Sequence, residues 1–177
     1  MPSWNQVLDE IQRCNRGDPL DYIRRKYLKR FAYKNASTVD LWKALEEVSG
    51  QPVRAIMDGY TRQEGYPILS VKKNEKNKKR SLNIRQERFI FDGSRSTKKS
   101  SWKVPLTIGF QGSPKQQAVL LRAATADILL DESKGWVKLN PGQSGFYRTR
   151  YSEPLFKELV DALRRRELSA LDGMGLL

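Results

Sequence analysis

The sequence predicts an α+β protein: helices first, then a small antiparallel β-sandwich of about seven strands, then helix again. Three observations carry this. Apolar residues recur every three or four positions up to about residue 60. From Gly65 the period shortens to two, with turn signals every eight to twelve residues, and after Tyr151 the helical period returns.

In the first sixteen residues Trp4, Val7, Leu8 and Ile11 share one helical face, with Ser3 as a cap and Gly17 as a stop, which reads as a docking helix. Asp18-Pro19 starts a second helix whose stripe is Leu20, Ile23, Tyr27, Leu28 and Phe31. Its other face carries Arg24, Arg25, Lys26, Lys29 and Arg30, read as a solvated face with cations toward the C-terminal end. Ser37 or Thr38 caps a third helix that buries Leu41, Leu45 and Val48 and stops at Gly50-Gln51-Pro52. A short helix from Pro52 to about Tyr60 buries Val53, Ile56 and Met57.

Pro67–Val71 is the first strand, and Lys72–Arg80, without an apolar residue, reads as an exposed connection. Leu82 and Ile84 alternate, Phe89-Ile90-Phe91 follows, and Asp92–Ser101 is a second polar loop. Trp102, Val104, Leu106, Ile108 and Phe110 alternate over nine residues, the cleanest strand in the chain. Gly112-Ser113-Pro114 turns it. Ala118–Leu121, Ile128–Leu130, Trp136–Leu139 and Gly145–Arg148 complete the set, with a turn at Asn140-Pro141-Gly142. Trp102 and Trp136 fall at inward positions and are assigned to the core rather than to a base-stacking platform with Phe146 and Tyr147. Glu153-Pro154 opens a helix with Leu155, Leu159 and Leu163 inward and Arg164-Arg165-Arg166 in its last turn. A final segment, LSALDGMGLL, begins another helix.

Composition excludes more than it assigns. The 177 residues accommodate one ordinary domain or two small ones. No window holds the ~20 apolar residues of a membrane span, and no secretory signal is visible at the N-terminus. One cysteine, Cys14, allows no internal disulfide and fits a reducing compartment, so the expected location is cytoplasmic. Net charge is +13, with an isoelectric point near 10.0 and mean hydropathy of −0.67. There is no histidine. That removes the commonest general base, the commonest zinc ligand and every Ser-His or Cys-His pair.

Few residues remain for chemistry. Glu46-Glu47 and Asp131-Glu132 are adjacent and point apart, so neither is an acid–base pair. Cys14 lies near Arg13 and Arg16 but has no base in sight, and Asp21 and Asp58 lack metal-ligand spacing. Gly142-x-x-Gly145 is a turn, not a phosphate loop. The one candidate site is a polyanion patch formed by Lys72, Lys73, Lys76, Lys78, Lys79, Arg80, Lys98 and Lys99, if their two loops meet at one end of the sandwich.

Several short matches occur in one order. They are Tyr33-x-Asn35-Ala36, Thr38-x-Asp40-Leu41-Trp42, Leu45-Glu46, Ser49-Gly50, Val53 and Met57, then Thr61-x-Gln63-x-Gly65-Tyr66-Pro67. Gln86, Arg88-Phe89, Trp102, Val104-Pro105, Trp136–Asn140, Gly145–Arg148 and Leu168-x-x-Leu171-Asp172 follow. From about residue 17 onward the chain resembles the zinc metallo-aminopeptidase family, in its puromycin-sensitive and tricorn-interacting form. The resemblance implies four regions: a non-matching helix over 1–16, the helical end of a catalytic-type domain over 17–62, a β-sandwich domain over 63–151, and the truncated start of a C-terminal helical domain over 152–177. It also implies that the family's catalytic parts lie upstream: the H-E-x-x-H zinc helix, the third ligand, the amine-binding segment and the oxyanion tyrosine. No catalytic or metal-binding position carries over, and zinc belongs to the parent family rather than to this chain. The reading is a non-catalytic, scaffolding part of an aminopeptidase. Its partners would be a separately encoded catalytic part or a second copy meeting it through apolar helix faces, with no membrane. The alternative is a basic module for nucleic acid or another polyanion.

Overall fold

The computed structural model describes residues 19–76, 79–90, 101–132 and 134–176. The helix expected over residues 1 to 16, Cys14, and the polar loop at 92–100 lie outside them. The chain divides into two units, Met1–Arg62 and Gln63–Leu177.

The first unit contains α1 (Pro19–Arg30), α2 (Thr38–Ser49) and α3 (Val53–Thr61). Ser37 is the cap of α2, in a reciprocal box: its Oγ accepts from Asp40 N, and its own N–H donates to Asp40 Oδ2 at 2.9 Å. The Ser37 hydroxyl, donating to Asp40 Oδ2 at 2.7 Å, and the Ser37 N–H together hold the Asp40 carboxyl below its ordinary range. Gly50 ends the helix at φ 61°, in the left-handed conformation. Glu46 and Glu47, which do not form an acid–base pair, each have a partner. Glu46 Oε1 accepts from Arg54 N at 3.0 Å in the first turn of α3, where an anion meets the helix dipole, and Glu47 pairs with Arg30 at 3.0 Å.

The expected stripes are only partly sealed. Leu41, Leu45, Val48, Val53, Ile56 and Met57 are half-buried, and Leu28 is 63% exposed. The residues fully enclosed are the small Ala44 and Ser49. Among the described residues this unit therefore has no closed apolar core of its own.

The second unit stacks two sheets. Its strands are β1 (Tyr66–Lys76), β2 (Lys79–Phe89), β3 (Val104–Phe110), β4 (Gln117–Leu121), β5 (Thr125–Leu129), β6 (Val137–Leu139) and β7 (Arg148–Tyr151). One sheet runs β5-β2-β1-β7 and the other β4-β3-β6. Every pairing is antiparallel except β1 with β7, which is parallel, Ile68 opposite Arg148. Leu69, Val71, Leu82 and Ile84 from one sheet and Val104, Leu106, Ile108, Leu121, Val137 and Leu139 from the other form the core, as the alternation requires. Pro105 is tolerated in β3 because β6 pairs only from Ile108 onward, leaving open the side where a donor is missing.

Two expectations need correction. Lys72–Arg80 is not a free connection: β1 and β2 continue as a ladder as far as Lys76 opposite Lys79. The register set by Leu69, Val71, Leu82 and Ile84 carries outward, and on the inward side Lys73 and Arg80 find partners in Glu158 and the Gly135 carbonyl. Gly145–Tyr147 is not strand either. Asn140, at φ 54°, turns into a 3-10 turn at Pro141–Gln143, and β7 starts only at Arg148.

The chain before β1 is equally constrained. Gly65 sits at φ 78°, and a Cβ there would run into the Phe89 carbonyl. After β7 come α4 (Glu153–Arg164) and α5 (Ala170–Met174), both in the second unit. Leu155, Leu159 and Ala162 are buried, and Leu163, expected inward, is half-buried against Gly173. No helix among the described residues is long and apolar enough to cross a membrane.

Candidate functional site

The strongest chemistry in the second unit is a buried polar centre that sequence reasoning did not single out. Lys138 occupies the middle of β6 and is 1% exposed. Its ammonium meets Asp172 Oδ1 at 2.9 Å and donates to the carbonyls of Leu139 at 3.1 Å and Asn140 at 3.2 Å. All three donor hydrogens are thereby used. Asp172, in α5, also accepts from Gly142 N at 2.8 Å and from Ser169 Oγ at 2.7 Å, while its own N–H donates to Ser169 Oγ at 3.1 Å. Beside the pair, Tyr151 Oη accepts from Leu139 N at 3.0 Å. Asn140 closes the following loop from both sides, accepting from Gly145 N at 2.7 Å and donating to Gly145 O at 3.0 Å.

The electrostatics match a closed lock. Desolvation lowers the Lys138 ammonium below its ordinary value, with Asp172 opposing. Burial alone would raise Asp172; the bonds from Ser169, Lys138 and Gly142 outweigh it and hold the carboxyl low. Burial pushes Tyr151 up to about 12. The amine is sealed from solvent, so it serves as a tie between β6, the 3-10 turn and α5, not as a nucleophile.

A second tie joins the sheets. Gln86, buried in β2, donates to Trp102 O at 3.1 Å and Ala123 O at 2.8 Å, and accepts from Trp102 N at 2.8 Å. Trp102 is core, as expected. Trp136 is only half-buried, and its indole N–H donates to Glu167 at 2.7 Å. Arg165 and Trp136 together hold the Glu167 carboxyl below its ordinary range.

The proposed polyanion residues do not form one surface among the described residues. Lys78, Lys98 and Lys99 lie outside them, and Lys76 ends β1. Lys72 and Lys79 are exposed. Lys73 is half-buried, turned to the opposite face from Lys72 and bonded to Glu158 of α4. Arg80 is 5% exposed, and its Nη2 donates to Gly135 O at 2.6 Å. Lys73, Arg80, Trp136, Glu158 and Arg165 line an open polar cleft of about 470 Å³ in which both signs of charge alternate.

Zinc does not fit this donor set. The chain has no histidine, and no three Cys, Asp or Glu side chains converge among the described residues.

Over 85% or more of its length the chain is similar to aminopeptidases. It is 40% identical over 157 residues to a puromycin-sensitive aminopeptidase of Caenorhabditis elegans, covering 86% of this chain. It is 38% identical over 160 residues to aminopeptidase M1-C of Oryza sativa subsp. japonica, covering 85% of this chain. With the tricorn protease-interacting factor F2 of Thermoplasma volcanium it shares 37% over 152 residues, covering 86%. The chain spans only 17% of the first and third of these relatives and 18% of the second. No family model matches it.

Proposed function

We propose that this chain is a non-catalytic, structural part of a zinc-dependent aminopeptidase, its two-sheet unit holding flanking parts of the enzyme at a set spacing. The observation that carries the reading is the similarity itself. It extends through helices and sheets alike at 36–40% identity over 85% or more of the chain in five aminopeptidases, in a chain without histidine. The Gln86 and Lys138–Asp172 ties support it, because they spend buried polar groups on rigidity rather than on a reactive centre. On this reading the zinc and the reaction belong to a separately encoded catalytic aminopeptidase part, and the location is cytoplasmic.

The test is metal content and turnover of the purified chain, alone and mixed with a catalytic aminopeptidase part that lacks this segment. The chain alone is expected to bind no stoichiometric zinc and to leave aminoacyl anilides intact, whereas the mixture gains activity and co-elutes. Zinc at one equivalent with turnover by the chain alone would overturn the proposal.

A further inference from the structure

The outer face of the four-stranded sheet carries an arrangement that neither the ties nor the aminopeptidase reading uses. Residues alternate across the strands, so Leu69, Val71, Leu82, Ile84 and Gln86 point inward, while Ile68, Ser70, Lys72, Asn83, Arg85 and Glu87 point outward. The parallel pairing with β7 sets Arg148 beside Ile68 and Arg150 beside Ser70, and the antiparallel pairing sets Arg85 beside Ser70 on the other side. Arg85, Arg148, Arg150 and Lys72 therefore share a face on which the carboxylates are Glu87 and Asp127.

Glu87 is divided between two guanidiniums, Arg85 at 3.5 Å and Arg150 at 3.7 Å, whose side chains are 68% and 65% exposed. Asp127 accepts from Asn83 at 2.9 Å. Next to the cations stands an aromatic group. Tyr66 and Phe89 are cross-strand neighbours with ring centroids 4.9 Å apart, and Phe146, 72% exposed, leans on Tyr66 at 5.9 Å. Exposed arginines around an aromatic anchor are the composition that carries binding energy at protein interfaces.

We propose that this face docks an acidic protein surface, with Phe146 entering an apolar recess and Arg85 and Arg150 meeting carboxylates. Charge complementarity argues for the occupant: four cations face two carboxylates here, in a chain of net charge +13. Guanidinium forks suit carboxylates in paired geometry. A nucleic acid fits less well. The Tyr66 and Phe89 rings pack on one another at 40°, with Arg148 at 5.7 and 6.0 Å from their centroids, so they do not present a platform to successive bases. The proposal rests on this face alone and holds independently of the aminopeptidase reading.

The probe is fluorescein-labelled poly-L-glutamate, titrated with the full chain at low and moderate salt. Arg85→Glu/Arg150→Glu is expected to weaken binding at least about tenfold at low salt and to reduce the salt slope. Lys115→Glu/Lys134→Glu, an equal charge change away from the face, is expected to alter it less than about twofold. Arg85→Gln/Arg150→Gln replaces the reversal should that variant not fold, as judged by circular dichroism. In the wild type, phenylglyoxal modification of Arg85 and Arg150 should be suppressed by the probe. Equal losses in the face and control variants, or no protection of the two arginines, would overturn the proposal. Tighter binding of single-stranded RNA through the same arginines would overturn the choice of a protein partner.

Discussion

Replacing Asp172 by Asn would leave an ammonium in the middle of β6 without its carboxylate. The Lys138 side chain is 1% exposed and the Asp172 side chain 11% exposed, so water cannot take over that role at the lysine. Removing one partner of a buried ion pair costs about 3–5 kcal/mol. Two carbonyl acceptors stay with Lys138, and an Asn side chain keeps one acceptor oxygen, so the lower end, about 3 kcal/mol, is expected. Lys138→Met removes the charge that must be balanced. The carboxylate it leaves retains Ser169 and Gly142 as donors, and a loss of about 1–2 kcal/mol is expected. The double variant should then be no worse than Asp172→Asn alone, giving a coupling of at least about 1 kcal/mol. Urea unfolding followed by tryptophan fluorescence and by circular dichroism measures all four corners of the cycle. Additivity within about 0.5 kcal/mol would refute the lock. Acid titration supplies a second reading. The carboxyl is held below its ordinary value of 3.8, so its contribution is present above that pH and is lost as pH falls through the folded value. Wild type should therefore lose an increment of stability below 3.8 that Asp172→Asn lacks.

Two further outcomes follow from the same physics. Gln86→Leu removes three hydrogen bonds and orphans two carbonyls and the Trp102 N–H between the sheets, so a loss of about 2–3 kcal/mol is expected, with the melting temperature as the check; a change under about 0.5 kcal/mol would show that the tie is dispensable. Tyr151 and Tyr60 both have phenols raised to about 12 by burial, so an ultraviolet titration should show a late-ionising group near that pH, with Tyr151→Phe removing part of it. Because the folded values are raised, stability from these groups is present below pH 10 and is lost as pH rises toward 12, and ionisation of all tyrosines near 10 would contradict their burial.

Why the strands were legible and the polar centre was not comes down to what each side chain reports. Trp102 to Phe110 and Leu82 with Ile84 alternate because one face of each strand is buried, and that period is visible in a single sequence. Ser37, Gly50 and the shift at Gly65 are equally local signals, each tied to one backbone conformation. Lys73, Arg80 and Lys138 gave the opposite impression, because lysine and arginine are read as solvent-facing by default. Their burial depends on residues far along the chain: Glu158 for Lys73, the Gly135 carbonyl for Arg80, and Asp172 for Lys138. No window of ten or twenty residues contains such a pair. The one local hint at Lys138 is its setting, since Val137 and Leu139 are fully buried and β6 is only three residues long. A lysine enclosed in so short a strand needs a carboxylate from elsewhere. The resemblance had reached both halves, at Trp136–Asn140 and at Leu168-x-x-Leu171-Asp172, without joining them. Fold joins them: the last segment of the chain enters the second unit through Asp172, so α5 is bound to the sheets by a charge and not by its apolar residues, two of which, Leu171 and Met174, remain 49% and 69% exposed.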